Sequence, residues 1–390
     1  MTEGGGTSPA GSTPAIGRAG LIGLGVLAAG AVAGVTIERL TLGRARRRAR
    51  EELDAVAPFG SLRGRPLRVA GEDGTELQVE VDEPAEPVPG APTVVFCHGY
   101  CLNQDSFHFQ RAALRGGLRL VFWDQRSHGR SERSRSYLAG RPAGIDQLGG
   151  DLAAVLDAVV PEGPVVLVGH SMGGMTVMAL ADQHPELFGP AEAGGRVAGV
   201  ALIGTSAGDW DTVDLGLSST GTKVWRRVGP GVVKLLGSQV GLVEATRRAG
   251  ADVTAVFYRR FSFGNGGRDV DPGVARFAEQ LLNSTPIDVV AEFYPVFAAH
   301  EKAGALAALR DLPVLVLAGT EDLLTPASHS EAIARALPGA ELELLPATGH
   351  LVLLERPEEV DRALARLLVR TGLPLPEAVR ELGADQSRAD

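Results

Sequence analysis

The chain has little cysteine and no excess of positive charge, and each shortage closes a class of function. Its 390 residues hold two cysteines, Cys97 and Cys101, four positions apart. Two thiols make neither a disulfide framework nor the ligand set of a zinc site, so both are read as reduced and packed. The formal net charge is −9. A surface that neutralises phosphates is basic, so nucleic acid is not an expected partner. No metal or cofactor is implied, no internal repeat is visible, and the oligomeric state stays open.

The N-terminus is defined by what it lacks. Residues 1–18, mostly Gly, Ser, Thr, Pro and Ala, cannot build a core and are read as a disordered tail. Residues 19–37 carry no charge. As a helix they would span about 28 Å at about 1.5 Å per residue, close to the hydrocarbon thickness of a bilayer. Arg39, Arg44, Arg46, Arg47, Arg48 and Arg50 follow within a basic juxtamembrane segment, 38–65. A cleaved signal peptide carries its basic region before the apolar stretch, and here that order is reversed. The positive-inside rule then gives a single-pass transmembrane helix with the domain that follows it in the cytoplasm. The span is rich in Gly and Ala, and its competing reading is a cleavable export signal or a buried helix.

From residue 66 short apolar runs alternate with amphipathic stretches, the signature of an α/β sheet. Strands are expected at 67–70 and 76–81, a hairpin turning at Asp73-Gly74, and at 93–97, 118–123, 165–168, 197–203, 314–318 and 342–345. Helices are expected at 147–160, 172–183, 327–336 and 357–370, and 84–92 is a Pro-rich linker. Runs such as Val165-Val166-Leu167-Val168 suit strands buried on both faces of a mostly parallel sheet. Between 209 and 306 the rhythm breaks into aromatics, Gly interruptions and helix-like periodicity. An insertion there lies over the C-terminal strand ends, where α/β ligands bind, and is read as a helical cap. The expected organisation is a core of 66–208 and 307–372, a cap of 209–306 and a polar C-terminal tail, 373–390.

Gly169-His170-Ser171-Met172-Gly173 is a G-x-S-x-G sequence, but in a chain with 51 glycines chance alone supplies about 0.3 such matches. A second match does occur, Gly204-Thr205-Ser206-Ala207-Gly208. Context separates them, because a nucleophile elbow needs a strand, a tight turn with small neighbours and then a helix. Ser171 has all three; Ser206 is followed by Asp209-Trp210-Asp211, which carries no helical pattern. A serine hydroxyl needs a base to take its proton and an acid to orient that base, in the chain order Ser, acid, His. Of the histidines beyond Ser171, His184 ends the elbow helix, His300 lies in the cap and His329 lies in a helix. His350, in Gly349-His350 just after a strand, is the expected base. Asp322 also follows a strand directly and is the expected acid, with Asp209 second and Glu321 its adjacent decoy. Helix capping is the other use for such a loop Asp.

With these motifs placed, residues from about 67 to 370 resemble the α/β-hydrolase fold family, in the branch of lipases, esterases and cofactor-independent haloperoxidases. The resemblance rests on His98-Gly99-Tyr100, Asp124-Gln125-Arg126-Ser127-His128-Gly129-Arg130-Ser131, the Ser171 elbow, the Asp322 loop with Pro326, and Gly349-His350. It implies an oxyanion hole from the backbone N–H groups of Tyr100 and Met172. It also implies that His98 and Asp124 shape loops. Ser127 stands where the family commonly has Gly. The implied activity is cleavage of carboxylic esters through an acyl-enzyme, on a small-molecule acyl ester that includes the lipid or long-chain class. Serine at the elbow argues against the epoxide hydrolase and haloalkane dehalogenase relatives, which use Asp there. Thioesterase, acyltransferase, perhydrolase and carbon–carbon bond hydrolase chemistry use the same triad, and a ligand-binding sensor with little turnover is a different class of reading. Trp210, Phe261, Phe293 and His300 are candidate substrate contacts from the cap, although aromatics at helical spacing more often form a core.

Overall fold

The computed structural model describes residues 59–210, 213, 223, 227, 228, 231 and 259–384. Two units divide the chain, Met1–Glu52 and Leu53–Asp390, and every described residue lies in the second. The expected tail 1–18, the transmembrane helix 19–37 and most of the basic segment 38–65 lie outside the described residues, as does much of the middle of the 209–306 insertion. Among the described residues no helix is long and apolar enough to cross a membrane.

Eight strands form one sheet: β1 (Arg65–Ala70), β2 (Glu76–Asp82), β3 (Thr93–Cys97), β4 (Leu120–Trp123), β5 (Val165–His170), β6 (Val197–Ile203), β7 (Val314–Gly319) and β8 (Glu341–Leu345). Their order is β1-β2-β4-β3-β5-β6-β7-β8. The first two pair as an antiparallel hairpin and β2 runs antiparallel to β4; every pairing from β4 to β8 is parallel. Strands β3, β4, β5 and β7 are buried along their whole length, as continuous apolar runs require when helices cover both faces.

The α-helices of seven residues or more among the described residues are α1 (His108–Leu114), α2 (Ile145–Val159), α3 (Met172–Gln183), α4 (Pro272–Ser284), α5 (Ile287–Ala298), α6 (Ala327–Ala336), α7 (Pro357–Arg370) and α8 (Glu377–Ala384). Side chains alternate between the sheet's faces with period two. Phe96, Phe122, Val168 and Leu317 join a core with Leu114 of α1, Phe277 of α4 and Leu364 of α7. Val95, Trp123, Leu167 and Val316 join the other core, with Leu152 of α2, Val177 of α3 and Ile333 of α6.

The insertion between β6 and β7 contributes α4 and α5. Asp271 caps α4, its carboxylate accepting from Gly273 N (2.7 Å) and Val274 N (3.2 Å), with Pro272 in the first turn. Helix α5 lays Val289, Phe293 and Val296 against Ile145 and Leu148 of α2 and Met172 and Met175 of α3. This places the insertion over the start of α3. The C-terminal stretch read as a polar tail contains a helix instead. In α8 Val379 is buried, Leu382 packs on the core, and Gly383 lies against the Ala365 backbone of α7. Two spaced apolar residues and a close glycine contact are enough to dock a short helix whose other face stays polar.

Two buried carboxyls make stability depend on pH. Asp361 of α7 accepts a hydrogen bond from Gln110 Nε2 of α1 (3.1 Å), and burial pushes its carboxyl from an ordinary 3.8 up to about 7. Glu292 of α5 is pushed from 4.5 to about 7 by burial, which outweighs the Arg133 guanidinium and the Ser127 hydroxyl beside it. Between the unfolded and folded values the native chain holds a proton that the unfolded chain has released, so stability falls as pH rises through that window. The thermal midpoint is therefore expected to decline from about pH 4 to about pH 7, and to decline less in Asp361→Asn, which keeps the acceptor without the charge. Parallel slopes for the two proteins in a melting series would overturn the assignment.

Candidate active site

Strand β5 ends at His170 and α3 begins at Met172, so the chain reverses at Ser171, which takes φ 53° and ψ −118°. For a residue with a Cβ this conformation costs of order 1–3 kcal/mol and persists only where neighbours over-determine it. They do so here. Ser171 N donates to Ile203 O (2.9 Å) on β6, and Ser171 O accepts from Gly174 N (2.9 Å) and Thr205 Oγ1 (2.7 Å). The turn also needs glycine beside it. A Cβ on Gly173 would stand 1.9 Å from Cys97 O at the end of β3, and one on Gly169 would stand 2.5 Å from Gly173 O. With its main chain engaged, Ser171 presents a hydroxyl that has no hydrogen bond among the described residues, at 8% exposure.

The turns after β7 and β8 bring two more side chains together. His350 Nδ1 lies 2.8 Å from Asp322 Oδ2, both residues buried. The rest of the Asp322 carboxylate is occupied: Oδ1 accepts from Leu324 N (2.8 Å) and Thr325 N (2.9 Å), and Oδ2 also accepts from Thr325 Oγ1 (2.8 Å). Such a carboxylate cannot rotate, and its remaining lone pair orients the imidazole so that Nδ1 carries the hydrogen. Ser171, Asp322 and His350 thus stand at the C-terminal ends of β5, β7 and β8. A link between the first and the last comes from His170, whose Nε2 donates to the His350 carbonyl (3.0 Å) with the two rings 5.0 Å apart. Burial drives the His170 imidazole down to about 3, so it stays neutral and its donor stays fixed. Gly204, at φ 50°, fits between these elements; a Cβ there would lie 3.5 Å from Asp322 Oδ2.

The loop after β3 closes the other side. Cys97 pairs in register with Gly169, so Tyr100 and Met172 follow neighbouring strand ends. Met172 opens α3, where the first N–H groups of a helix have no intrahelical acceptor. The Tyr100 hydroxyl donates to Val290 O of α5 (2.5 Å), and its ring meets Phe297 edge-on at 5.0 Å. His98 and Asp124 are buried and shape these loops. His98 accepts from Gln125 N (2.9 Å) at Nε2, and Asp124 accepts from Gln104 N (2.8 Å) and Arg130 N (2.8 Å). Ser127, where the family commonly has Gly, sits at φ 65°, and its hydroxyl reaches Glu292 Oε1 (3.1 Å) of α5. Cys97 is buried, its thiol pushed up to about 12, and Cys101 is partly buried; neither is in a disulfide.

The remaining candidates fall elsewhere. Ser206 is fully buried and donates to Gly208 O (2.5 Å) while Gly208 N donates back (3.1 Å), so its hydroxyl builds a turn. His329 Nδ1 stands 2.8 Å from that hydroxyl, and His300 Nε2 donates to Ser206 O (2.9 Å). Asp209 is exposed, and His184 meets Glu186 at the surface. Phe293 is fully buried in the packed face of α5, Trp210 lies 5.4 Å from Phe297, and Phe261 is partly buried. Sequence reasoning missed the supports of the Asp322–His350 pair. Thr325 was visible as a hydroxyl three residues past an Asp, an arrangement that favours a local side-chain turn. His170 offered no local signal, since its partner lies 180 positions away.

Compared with known proteins, the chain matches the family described as alpha/beta hydrolase fold over residues 92–357. It is 28% identical over 290 residues to the dihydrolipoyllysine-residue acetyltransferase component of the acetoin cleaving system of Cupriavidus necator, across 72% of this chain and 64% of that protein, so it spans just under two thirds of that relative. It is 26% identical over 279 residues to an sn-1-specific diacylglycerol lipase of Mus musculus, across 71% of this chain and 81% of that one. A thermophilic esterase from Thermogutta terrifontis has the same fold, with a TM-score of 0.60 at 24% identity over 78% of this chain and 98% of that one.

Proposed function

The chain belongs to the α/β-hydrolase fold family, and on that premise we propose that it is a serine hydrolase of carboxylic esters with Ser171 as nucleophile, His350 as base and Asp322 as the orienting acid. The observation that carries this reading is the 2.8 Å bond from His350 to a fully engaged Asp322 carboxylate, together with a strained serine at the end of β5 whose hydroxyl is uncommitted. His350 Nε2 takes the Ser171 proton as Oγ bonds to the ester carbonyl carbon. The negative charge that develops on the carbonyl oxygen faces the Tyr100 and Met172 N–H groups. The intermediate collapses as His350 returns the proton to the leaving alcohol, giving an acyl-serine. Water, deprotonated by His350, then adds to that acyl group, and collapse releases the acid and restores the Ser171 hydroxyl.

The substrate class follows from the N-terminus and from one relative. An uncharged span at 19–37 followed by six arginines supports a single-pass anchor with the hydrolase on the cytoplasmic side. A tether places the site beside lipid, and the murine relative is named as a lipase, so the proposed substrate is a lipid or long-chain acyl ester. The test is a p-nitrophenyl ester series of increasing acyl length, assayed on fractionated full-length protein and on a chain truncated before Arg44. Expected are membrane-bound full-length protein, a soluble truncation and a rise in kcat/KM with chain length. Soluble full-length protein overturns the anchor, and preference for acetate overturns the substrate class. Acyl transfer on the same triad is favoured by the relative named as an acetyltransferase component; product analysis with an added acyl acceptor separates it from hydrolysis.

A further inference from the structure

Two carboxylates that this chemistry does not use converge on one turn of the insertion. Residues Gly264–Gly267 turn tightly, with Asn265, Gly266 and Gly267 at φ 48°, 63° and 72°. Glu355, five residues past His350, accepts from Gly264 N (3.1 Å) and from Gly349 N (2.8 Å). Glu321, directly before Asp322, accepts from Asn265 N (2.5 Å). Between these carboxylates the main chains touch. A Cβ on Gly264 would stand 2.2 Å from Ala347 O, and one on Gly349 would stand 2.4 Å from the Phe263 carbonyl carbon. On the far side of His350, Leu351 N donates to Ser262 O (2.8 Å).

The N–H groups immediately before and after His350 are therefore both held in register with residues 262–264. The loop of Asp322 is held to the next residue of the same turn. We propose that Glu355 is a positioning residue for His350, acting by clamping Gly349 to the Gly264–Gly267 turn so that the Asp322 and His350 loops keep a fixed separation. The clamp rests on the reading of Ser171, Asp322 and His350 as a triad. A carboxylate accepting two N–H groups is a strong tie, because charge-assisted hydrogen bonds are about twice as strong as neutral ones. It is also a selective tie. Glu355 touches neither Asp322 nor His350 through its carboxylate bonds, so its removal displaces the base without removing a reacting group. The same carboxylate could merely close the short helix Val352–Glu355, in which case it would support folding and not turnover.

Steady-state kinetics of the full-length protein on p-nitrophenyl acetate, with a melting curve for each variant, separate these roles. Glu355→Leu is expected to lower kcat roughly 10- to 100-fold with KM within about twofold, the cost of a misplaced base. Glu355→Gln keeps an acceptor for Gly349 N and is expected to hold kcat within about threefold of wild type. Gly264→Ala, which drives a methyl into Ala347 O, is expected to lower kcat in the manner of Glu355→Leu. If Glu355→Leu does not fold, Glu355→Asp carries the same test, being one methylene too short to span both N–H groups. Wild-type kcat in the folded Leu or Asp variant, whatever its melting temperature, overturns the clamp. Turnover that survives Ser171→Ala instead overturns the triad on which the clamp rests.

Discussion

Ser171→Ala is expected to abolish p-nitrophenyl ester turnover, lowering kcat by roughly 10⁴- to 10⁶-fold, because no other group in the site can form the acyl-enzyme. The size of the effect follows from what the residue does and does not do for the fold. Its main chain carries the structural bonds, from Ser171 N to Ile203 O and from Thr205 Oγ1 to Ser171 O, and alanine keeps them all. The side-chain oxygen has no partner among the described residues. Alanine also keeps the Cβ, so the strained φ of 53° costs what it did before. A melting temperature within a few degrees of wild type should therefore accompany the loss, together with loss of covalent labelling by a fluorophosphonate. Ser206→Ala is the control. It removes a turn hydroxyl that donates to Gly208 O and is expected to destabilise the protein without touching the labelling. Undiminished turnover in Ser171→Ala would refute the nucleophile.

The contrast between these serines shows how far the sequence reached. Both pentapeptides are equally good matches, and what distinguished them was the buried run before Ser171 and the helix Met172–Gln183 after it. Those elements were legible because a strand covered on both faces must be apolar at nearly every position. Helices of the insertion were harder to locate. Helix α5 has Pro295 inside it and buries the ionisable Glu292, so neither its bounds nor its packed face follows from a simple pattern. The docking helix α8 was missed because only Val379 and Leu382 carry its packed face. Least legible were contacts between loops. The bonds from Glu355 to Gly264, from Glu321 to Asn265 and from His170 to His350 span 91, 56 and 180 positions. Local periodicity reports how a segment packs, and holds nothing about which loop its end will meet. Ser127 is the converse case: a departure noticed against the family became explicable once its left-handed φ of 65° was seen, the conformation that favours glycine.

Asp322→Asn is expected to lower kcat by about 10⁴-fold with little change in KM or in stability, through the wrong tautomer of His350. The substitution is isosteric, and the direction in which it fails is dictated by the neighbours. Oδ1 faces two backbone donors, Leu324 N at 2.8 Å and Thr325 N at 2.9 Å, which only an oxygen can satisfy. The amide nitrogen is therefore forced into the Oδ2 position, opposite the Thr325 hydroxyl and His350 Nδ1. The hydroxyl can turn and become an acceptor; the imidazole can answer an N–H only with an unprotonated Nδ1. Its hydrogen then sits on Nε2, where a base for Ser171 must have a lone pair. Neither decoy acid can rescue the variant, since the Glu321 carboxylate accepts from Asn265 N at 2.5 Å and Asp209 is exposed beyond β6. Measured kcat within tenfold of wild type in Asp322→Asn would show that the base is oriented by something else. A large loss shared with Ser171→Ala, in proteins that melt alike, would place the two residues in one catalytic unit, because members of such a unit are strongly non-additive. The double variant Ser171→Ala/Asp322→Asn should then be no slower than Ser171→Ala alone.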